Sequence, residues 1–311
     1  MIKLDFENRK ATRESYGEAL KQLGEKNENV VVLDADLSGA TKTNIFAKSF
    51  PNRFFNIGIA EQDMVGTAAG LATTGKIPFA SSFAVFLAGR AYDQIRNSVA
   101  YPKLNVKLCA THAGITVGED GATHQMLEDI NMMRCLPNMT VISTSDDTQT
   151  KWAVEEISKL KGPVYLRLSR LSTPKIYDTE QNFEIGKGVQ IGNGTDGTVF
   201  ATGVTVIEAI KAQMELKKRN VDIRVVDIHT IKPIDKEIII KSAKETKKIV
   251  TVEDHSIIGG LGTAVMEVLS ENLPTKVYRL GIPDTFGRSG NATKLMEYFK
   301  ITANDIIKMF I

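Results

Sequence analysis

Two periods of apolar and polar positions alternate along this chain. Short, continuous apolar runs, of the kind buried on both faces of a parallel sheet, predict strands over Asn29–Asp34, Ile77–Phe83, Val106–Thr111, Thr140–Ser143 and Val164–Leu168. Segments with helical spacing lie between them. They predict helices from Arg13 to Leu23, with Thr12 as N-cap, from Gln62 to Thr73, from Ala88 to Ala100 and from Thr148 to Lys159. A second series follows, with strands over Thr198–Thr202, Asp222–Asp227, Lys248–Glu253 and Val277–Leu280 and helices over Val206–Lys218, Asp235–Glu245 and Leu261–Leu269. Strands that alternate with helices in this way argue for an α/β fold with helices on both faces of a parallel sheet. Residues 172–197 break the alternation with polar, turn-forming stretches such as Gly192-Asn193-Gly194. The expected organisation is a first domain over residues 1–175, a linker over 176–197 with room for an edge hairpin, and a smaller α/β domain over 198–311.

Composition narrows the classes. The 311 residues suit about two domains, and 42% hydrophobic with 24% charged residues is ordinary for a soluble globular protein. A net charge of +2 gives no reason to expect nucleic acid or a membrane surface as a partner. No apolar run is long enough to span a bilayer, and the charged start MIKLDFENRKATRES lacks the apolar core of a secretory signal. Cys109 and Cys135 both sit beside apolar runs and read as buried thiols, so the expected location is the reducing cytoplasm. The chain has no P-loop, no dinucleotide fingerprint at Gly259-Gly260-Leu261-Gly262, no Cys-x-x-Cys, no His-Glu-x-x-His and no Gly-x-Ser-x-Gly. A metal site made by this chain alone is therefore not expected.

Four stretches could carry chemistry. Phe55-Asn56-Ile57-Gly58-Ile59-Ala60-Glu61-Gln62 reads as the end of a buried strand followed by one carboxylate. An acid against apolar surroundings holds its proton more tightly and suits hydrogen bonding to a weakly basic ring nitrogen; equally, Glu61 could be an ordinary acid in a first helical turn. His112-Ala113-Gly114 and Gly118-Glu119-Asp120-Gly121-Ala122-Thr123-His124-Gln125 form a Gly-rich loop after a strand, where ligands bind in α/β folds. Its histidines and acids could bind hydroxyls and move protons, or the loop could be a solvated turn. Phe83 and Phe86, three apart, could stack on a flat heterocycle or simply fill a core. Arg13, Arg167 and Arg170 suit phosphate but are, singly, ordinary surface residues.

Together these stretches resemble the carboxyl-terminal half of transketolase. FFNIGIAEQ is similar to the strand–Glu element of thiamine-diphosphate enzymes, and GEDGATHQ to the transketolase loop Gly-Glu-Asp-Gly-Pro-Thr-His-Gln. Asp34-Ala35-Asp36-Leu37, Ala11-Thr12-Arg13 and Leu168-Ser169-Arg170 resemble further family segments, and the stretch from Thr202-Gly203 through Thr230-Ile231-Lys232-Pro233 to Val252-Glu253-Asp254-His255 resembles the family's carboxyl-terminal domain. The resemblance implies a pyrimidine-binding domain followed by that smaller domain, and transfer of a two-carbon ketol unit between sugars. It implies that Glu61 bonds N1′ of the cofactor's aminopyrimidine, that Phe83 and Phe86 hold the ring, and that Ile59 and Asp36 lie along the cofactor. His124 and Asp120 would bind the reacting part of the sugar, with His124 catalytic alongside Glu61; His112, Arg13 and Arg170 would bind its far end and phosphate.

Three positions depart from the family pattern: Gly89 stands where a third aromatic is usual, Ala40 where a phosphate-binding Ser is usual, and His112-Ala113-Gly114 where His-Asp-Ser is usual. A larger departure is the lack of Gly-Asp-Gly, the element through which these enzymes hold the diphosphate and its Mg2+ or Ca2+. The resemblance therefore implies a separate amino-terminal subunit that holds the metal, with both chains assembled into a heterotetramer. Alternatives are a deoxyxylulose-phosphate-synthase-like enzyme, the beta subunit of a 2-oxoacid dehydrogenase, or a structural or regulatory subunit. Retention of Thr-Ile-Lys-Pro and Gly-Glu-Asp-Gly favours transketolase.

Overall fold

A computed structural model describes residues 5–311; the first four residues of the predicted first domain lie outside the described residues. Fourteen strands form in chain order: β1 (Asp5–Ala11), β2 (Val30–Asp34), β3 (Phe54–Asn56), β4 (Ile77–Phe83), β5 (Lys107–Thr111), β6 (Thr140–Ser143), β7 (Val164–Arg167), β8 (Ser172–Lys175), β9 (Val189–Ile191), β10 (Gly197–Ala201), β11 (Ile223–Asp227), β12 (Thr230–Lys232), β13 (Ile249–Ser256) and β14 (Val277–Ile282). A seven-stranded sheet runs in the order β12-β6-β7-β5-β4-β2-β3, parallel except for β12. A five-stranded sheet runs β14-β13-β10-β11-β9, parallel except for β9. β1 and β8 pair as a separate antiparallel ribbon.

The interior strands β2, β5, β7, β10 and β11 are buried throughout, as strands of a parallel sheet covered on both faces are. Val30 and Val32 face a core built with Tyr16, Leu20, Ala153 and Ile157 from the helices Thr12–Lys26 and Asp147–Lys159. Val31 and Leu33 face the other way, onto Met64, Val65 and Ala68 of the helix Glu61–Thr73. That second core is shared: Phe200 of β10, Val226 of β11 and Val265 of the helix Leu261–Asn272 belong to the same cluster. With each buried aliphatic side chain contributing about 1.5–3 kcal/mol, the two halves are held together by apolar packing as well as by β12. That strand comes from the second half and pairs with β6 of the first sheet.

Several elements differ from those the pattern predicts. Thr12 is the first residue of its helix and Ala11 its cap; the Thr12 hydroxyl instead accepts the Ser169 N–H at 2.7 Å, tying the helix to the end of β7. The stretch before Glu61 is not a buried strand: β3 is the sheet edge, and Phe55 and Ile59 are 39% and 77% exposed. The expected helix over 88–100 is a succession of wide π turns, Val85–Arg90 and Ile95–Ala100, around one α turn. The polar 172–197 stretch holds two strands, β8 and β9, that pair with distant partners and not with each other. Cys109 is buried as expected, but Cys135 is exposed at the end of the helix Asp129–Arg134. No helix of the described residues is long and apolar enough to cross a membrane.

Candidate active site

The seven-stranded sheet runs outward from β2 on both sides, to β3 and to β4. Ligands of open α/β sheets bind outside the carboxyl ends of the strands at such a switch point. The candidate residues lie there. Asp34 ends β2 in register with Asn56 of β3 and Ser81 of β4, Phe83 ends β4 in register with Thr111 of β5, and Ala110 of β5 is in register with Arg167 of β7.

Glu61 opens the helix Glu61–Thr73 as a first-turn acid, and its side chain is 1% exposed. Its Oε2 pairs with Nη1 of Arg90 at 2.6 Å. The Arg90 guanidinium lies over the Phe86 ring, 4.8 Å from its centroid, and the Arg90 carbonyl accepts from Gln62 Nε2. Gly89, the position expected for an aromatic, leaves open space beyond its Cα. Phe83 and Phe86 are near-parallel at 5.9 Å and 14°. Phe83 stacks on His112 at 3.8 Å, and the His124 ring meets the Phe86 ring edge-on at 5.3 Å.

His112 adopts the left-handed conformation at φ 56°, which turns its ring back toward the sheet end. Its Nδ1 bonds the Thr111 hydroxyl at 2.8 Å and its Nε2 lies 3.1 Å from Arg13 Nη1, which also donates to the Ala40 carbonyl at 2.9 Å. The Ala40 departure thus sits against Arg13. Burial first, then the positive charges of Arg13 and Arg170, push the His112 imidazole down to about 3, so it is neutral near pH 7. An imidazole in the unfolded chain takes its proton near 6.5. Below that pH the unfolded state binds a proton the folded state refuses, so this contribution to stability is full above 6.5 and is lost as pH falls toward 3. The His112 ring signals in an NMR titration should therefore stay fixed between about pH 5 and 8. Titration near the ordinary value would contradict this environment.

On the far side of the loop, Arg170 donates to the Val117 carbonyl at 2.7 Å and pairs with Asp120 at 3.2 Å. The structure therefore brings Phe83, Phe86, His112, His124 and Arg13 into one cluster, joins Glu61 to it through Arg90, and sets Arg170 and Asp120 together. Asp36 and Ile59 stand apart from these contacts. Asp36 is exposed, left-handed at φ 61°, and bonds Asn56 at 3.1 Å through both backbone and side chain. Two residues were missed by sequence reasoning. Arg90 carries no sequence signal of its own. Asp34 is buried and accepts from Thr41, Thr43 and the Leu37 N–H, with its pKa raised by burial. The only signal for Asp34 was its place in the family-like segment Asp34-Ala35-Asp36-Leu37.

The wall presents a buried carboxylate joined through Arg90 to the Phe86 ring, with open space at Gly89, an arrangement suited to a flat heterocycle. Among the described residues no group of three or more His, Cys, Asp or Glu side chains is placed to hold a metal ion.

Residues 8–175 match the transketolase pyrimidine-binding domain and residues 186–306 the transketolase C-terminal domain, and the chain belongs to the transketolase family. It is 57% identical over 302 residues to the "Putative transketolase C-terminal section" of Methanocaldococcus jannaschii, covering 96% of this chain and 95% of that protein. A solved split-gene transketolase, an inactive beta4 tetramer, superposes with a TM-score of 0.90 at 51% identity over 96% of each chain. Against the transketolase of Homo sapiens the identity is 40% over 95% of this chain but only 48% of that protein.

Proposed function

We propose that this chain is the carboxyl-terminal subunit of a thiamine-diphosphate-dependent transketolase and that it transfers a two-carbon ketol unit from a ketose to an aldose only together with an amino-terminal subunit. The observation that carries the proposal is the buried Glu61 carboxylate beside the Phe83–Phe86 pair, in a chain that covers about half of a full-length relative. The lack of Gly-Asp-Gly supports assigning the diphosphate and its Mg2+ or Ca2+ to the partner. The beta4 assembly of the split-gene relative supports self-association, here read as two copies of each subunit in a heterotetramer. Two free cysteines fit the reducing cytoplasm.

In this reading Glu61 holds a proton at N1′ of the pyrimidine, Phe83 and Phe86 fix the ring plane, and Ile59 and Asp36 border the cofactor from the β3 edge. The bound cofactor supplies the nucleophilic carbon and the electron sink for breaking the carbon–carbon bond. His124 bonds the reacting sugar oxygens and moves a proton there; Asp120 bonds a hydroxyl once Arg170 turns to phosphate. Neutral His112, whose Nε2 accepts from Arg13, turns that acceptor to the far end of the sugar once Arg13 swings to the phosphate, which Arg13 and Arg170 meet.

Kinetics of the assembled enzyme with phosphorylated and unphosphorylated sugars test these roles. Arg170→Ala should raise KM about 10- to 100-fold for phosphorylated substrates alone, the size of one charge-assisted hydrogen bond. His124→Ala should mainly lower kcat, because its contacts strengthen as charge develops. An equal rise in KM for both substrate types with Arg170→Ala would remove the phosphate role.

A further inference from the structure

The loop that presents His112 and His124 is built in a costly conformation. His112, Gly114, Gly118 and Gly121 all have positive φ, between 56° and 89°; glycine adopts that region freely, so the cost of about 1–2 kcal/mol falls on His112. Something must hold the loop there, and the holding groups come from the other half of the chain. From β13, Asp254 accepts the Ile115 N–H through Oδ1 at 2.8 Å. Its Oδ2 accepts the Thr116 N–H at 3.3 Å and the Thr116 hydroxyl at 2.7 Å. A Cβ at position 114 would lie 2.2 Å from this carboxylate, so only glycine lets it reach beneath the turn. On the opposite side, Gln125 Nε2 donates to the Arg288 carbonyl at 2.8 Å and Ser289 Oγ to the Glu119 carbonyl at 2.5 Å. Asp254 is itself anchored: its backbone carbonyl accepts from Arg167, whose guanidinium is paired with buried Asp129 at 2.8 Å.

We propose that Asp254 is a positioning residue for the ketol transfer: from the carboxyl-terminal sheet it fixes the loop that holds His112 and His124 against the Phe83–Phe86 face. This rests on the transketolase reading above. The Asp254 carboxylate is buried behind the turn and accepts from the loop backbone and the Thr116 hydroxyl. Its effect therefore passes through loop geometry, where a displacement of about 1 Å can cost up to about 100-fold in rate.

Asp254→Asn and Thr116→Val in the reconstituted enzyme test the proposal. An amide keeps one acceptor oxygen for Ile115 but presents N–H to the donors of Thr116. It should lower kcat about 10- to 100-fold and leave the dissociation constant for thiamine diphosphate within about threefold, because the pyrimidine wall is made by other elements. Thr116→Val, which removes one donor of the three, should show a smaller loss of the same kind. Backbone hydrogen exchange on the chain by itself should rise over residues 112–125 in both variants and stay unchanged in β4 and β5. Unchanged exchange in the loop would overturn the clamp. A parallel fall in turnover, cofactor affinity and melting temperature would overturn the positioning role in favour of a general structural one. If the unmodified complex transfers no ketol unit, the transketolase reading fails and takes the positioning role with it, while the exchange data still decide whether Asp254 holds the loop.

Discussion

Glu61→Ala is expected to lower turnover of the assembled enzyme by about 10²–10⁴-fold, the usual cost of losing a placed proton-transfer partner, with the fold intact. A carboxylate 1% exposed at a helix start has a defined direction, and in the proposed reading the near-parallel Phe83 and Phe86 rings set the plane of the heterocycle it meets. Removing a buried charge usually strands the opposite one at a cost of several kcal/mol. Here the stranded group is Arg90, whose side chain is half-exposed and can turn to water. Stability should therefore change little while the chemistry is lost. Glu61→Gln should behave similarly, because an amide cannot give or take the proton. Steady-state kcat beside a thermal melt checks this, and near-normal turnover of Glu61→Ala would remove Glu61 from the mechanism.

Thiamine diphosphate is expected to bind the isolated chain poorly and to gain affinity only when an amino-terminal subunit and a divalent cation are both present. In the proposed reading this chain binds only the ring end of the cofactor. The diphosphate end carries most of the charge and needs a cation with oxygen ligands to neutralise it. The described residues include no cluster of acids or histidines arranged for that. Binding energy from the two ends is coupled through one molecule, so losing one end should cost most of the affinity. Isothermal titration of the chain alone, of the mixture, and of the mixture with chelator separates the contributions. Tight binding by the chain alone would contradict the divided site.

Much of the sheet was legible because the interior strands are continuous apolar runs with no other use. Val30 to Leu33 serve two cores at once, so every position must be apolar. The edge was not legible. Phe54 and Phe55 look like interior residues, yet β3 has a neighbour on one side only; an apolar pattern does not say whether the same chain covers it. β1, β8, β9 and β12 were missed because β1 is polar, the other three are very short, and each pairs with a segment far away in sequence. The π turns around Arg90 carry no local signal, since their spacing differs from an α-helix only in how the backbone closes. The site divides the same way. Glu61, the two phenylalanines and the two histidines sit in contiguous motifs. The Arg90–Glu61 pair and the Asp254–Ile115 contact join residues 29 and 139 positions apart, which periodicity along a chain cannot reveal.

The most direct test of the central claim is a titration of purified amino-terminal subunit, the one carrying Gly-Asp-Gly, into a fixed amount of this chain with thiamine diphosphate, Mg2+, a ketose phosphate and an aldose phosphate, followed by the mass of the sugar products. The account predicts no ketol transfer by either subunit alone, activity that rises to a plateau at a fixed subunit ratio, and products two carbons shorter and longer than the substrates. Turnover by this chain alone, or no two-carbon transfer at any ratio, would contradict it.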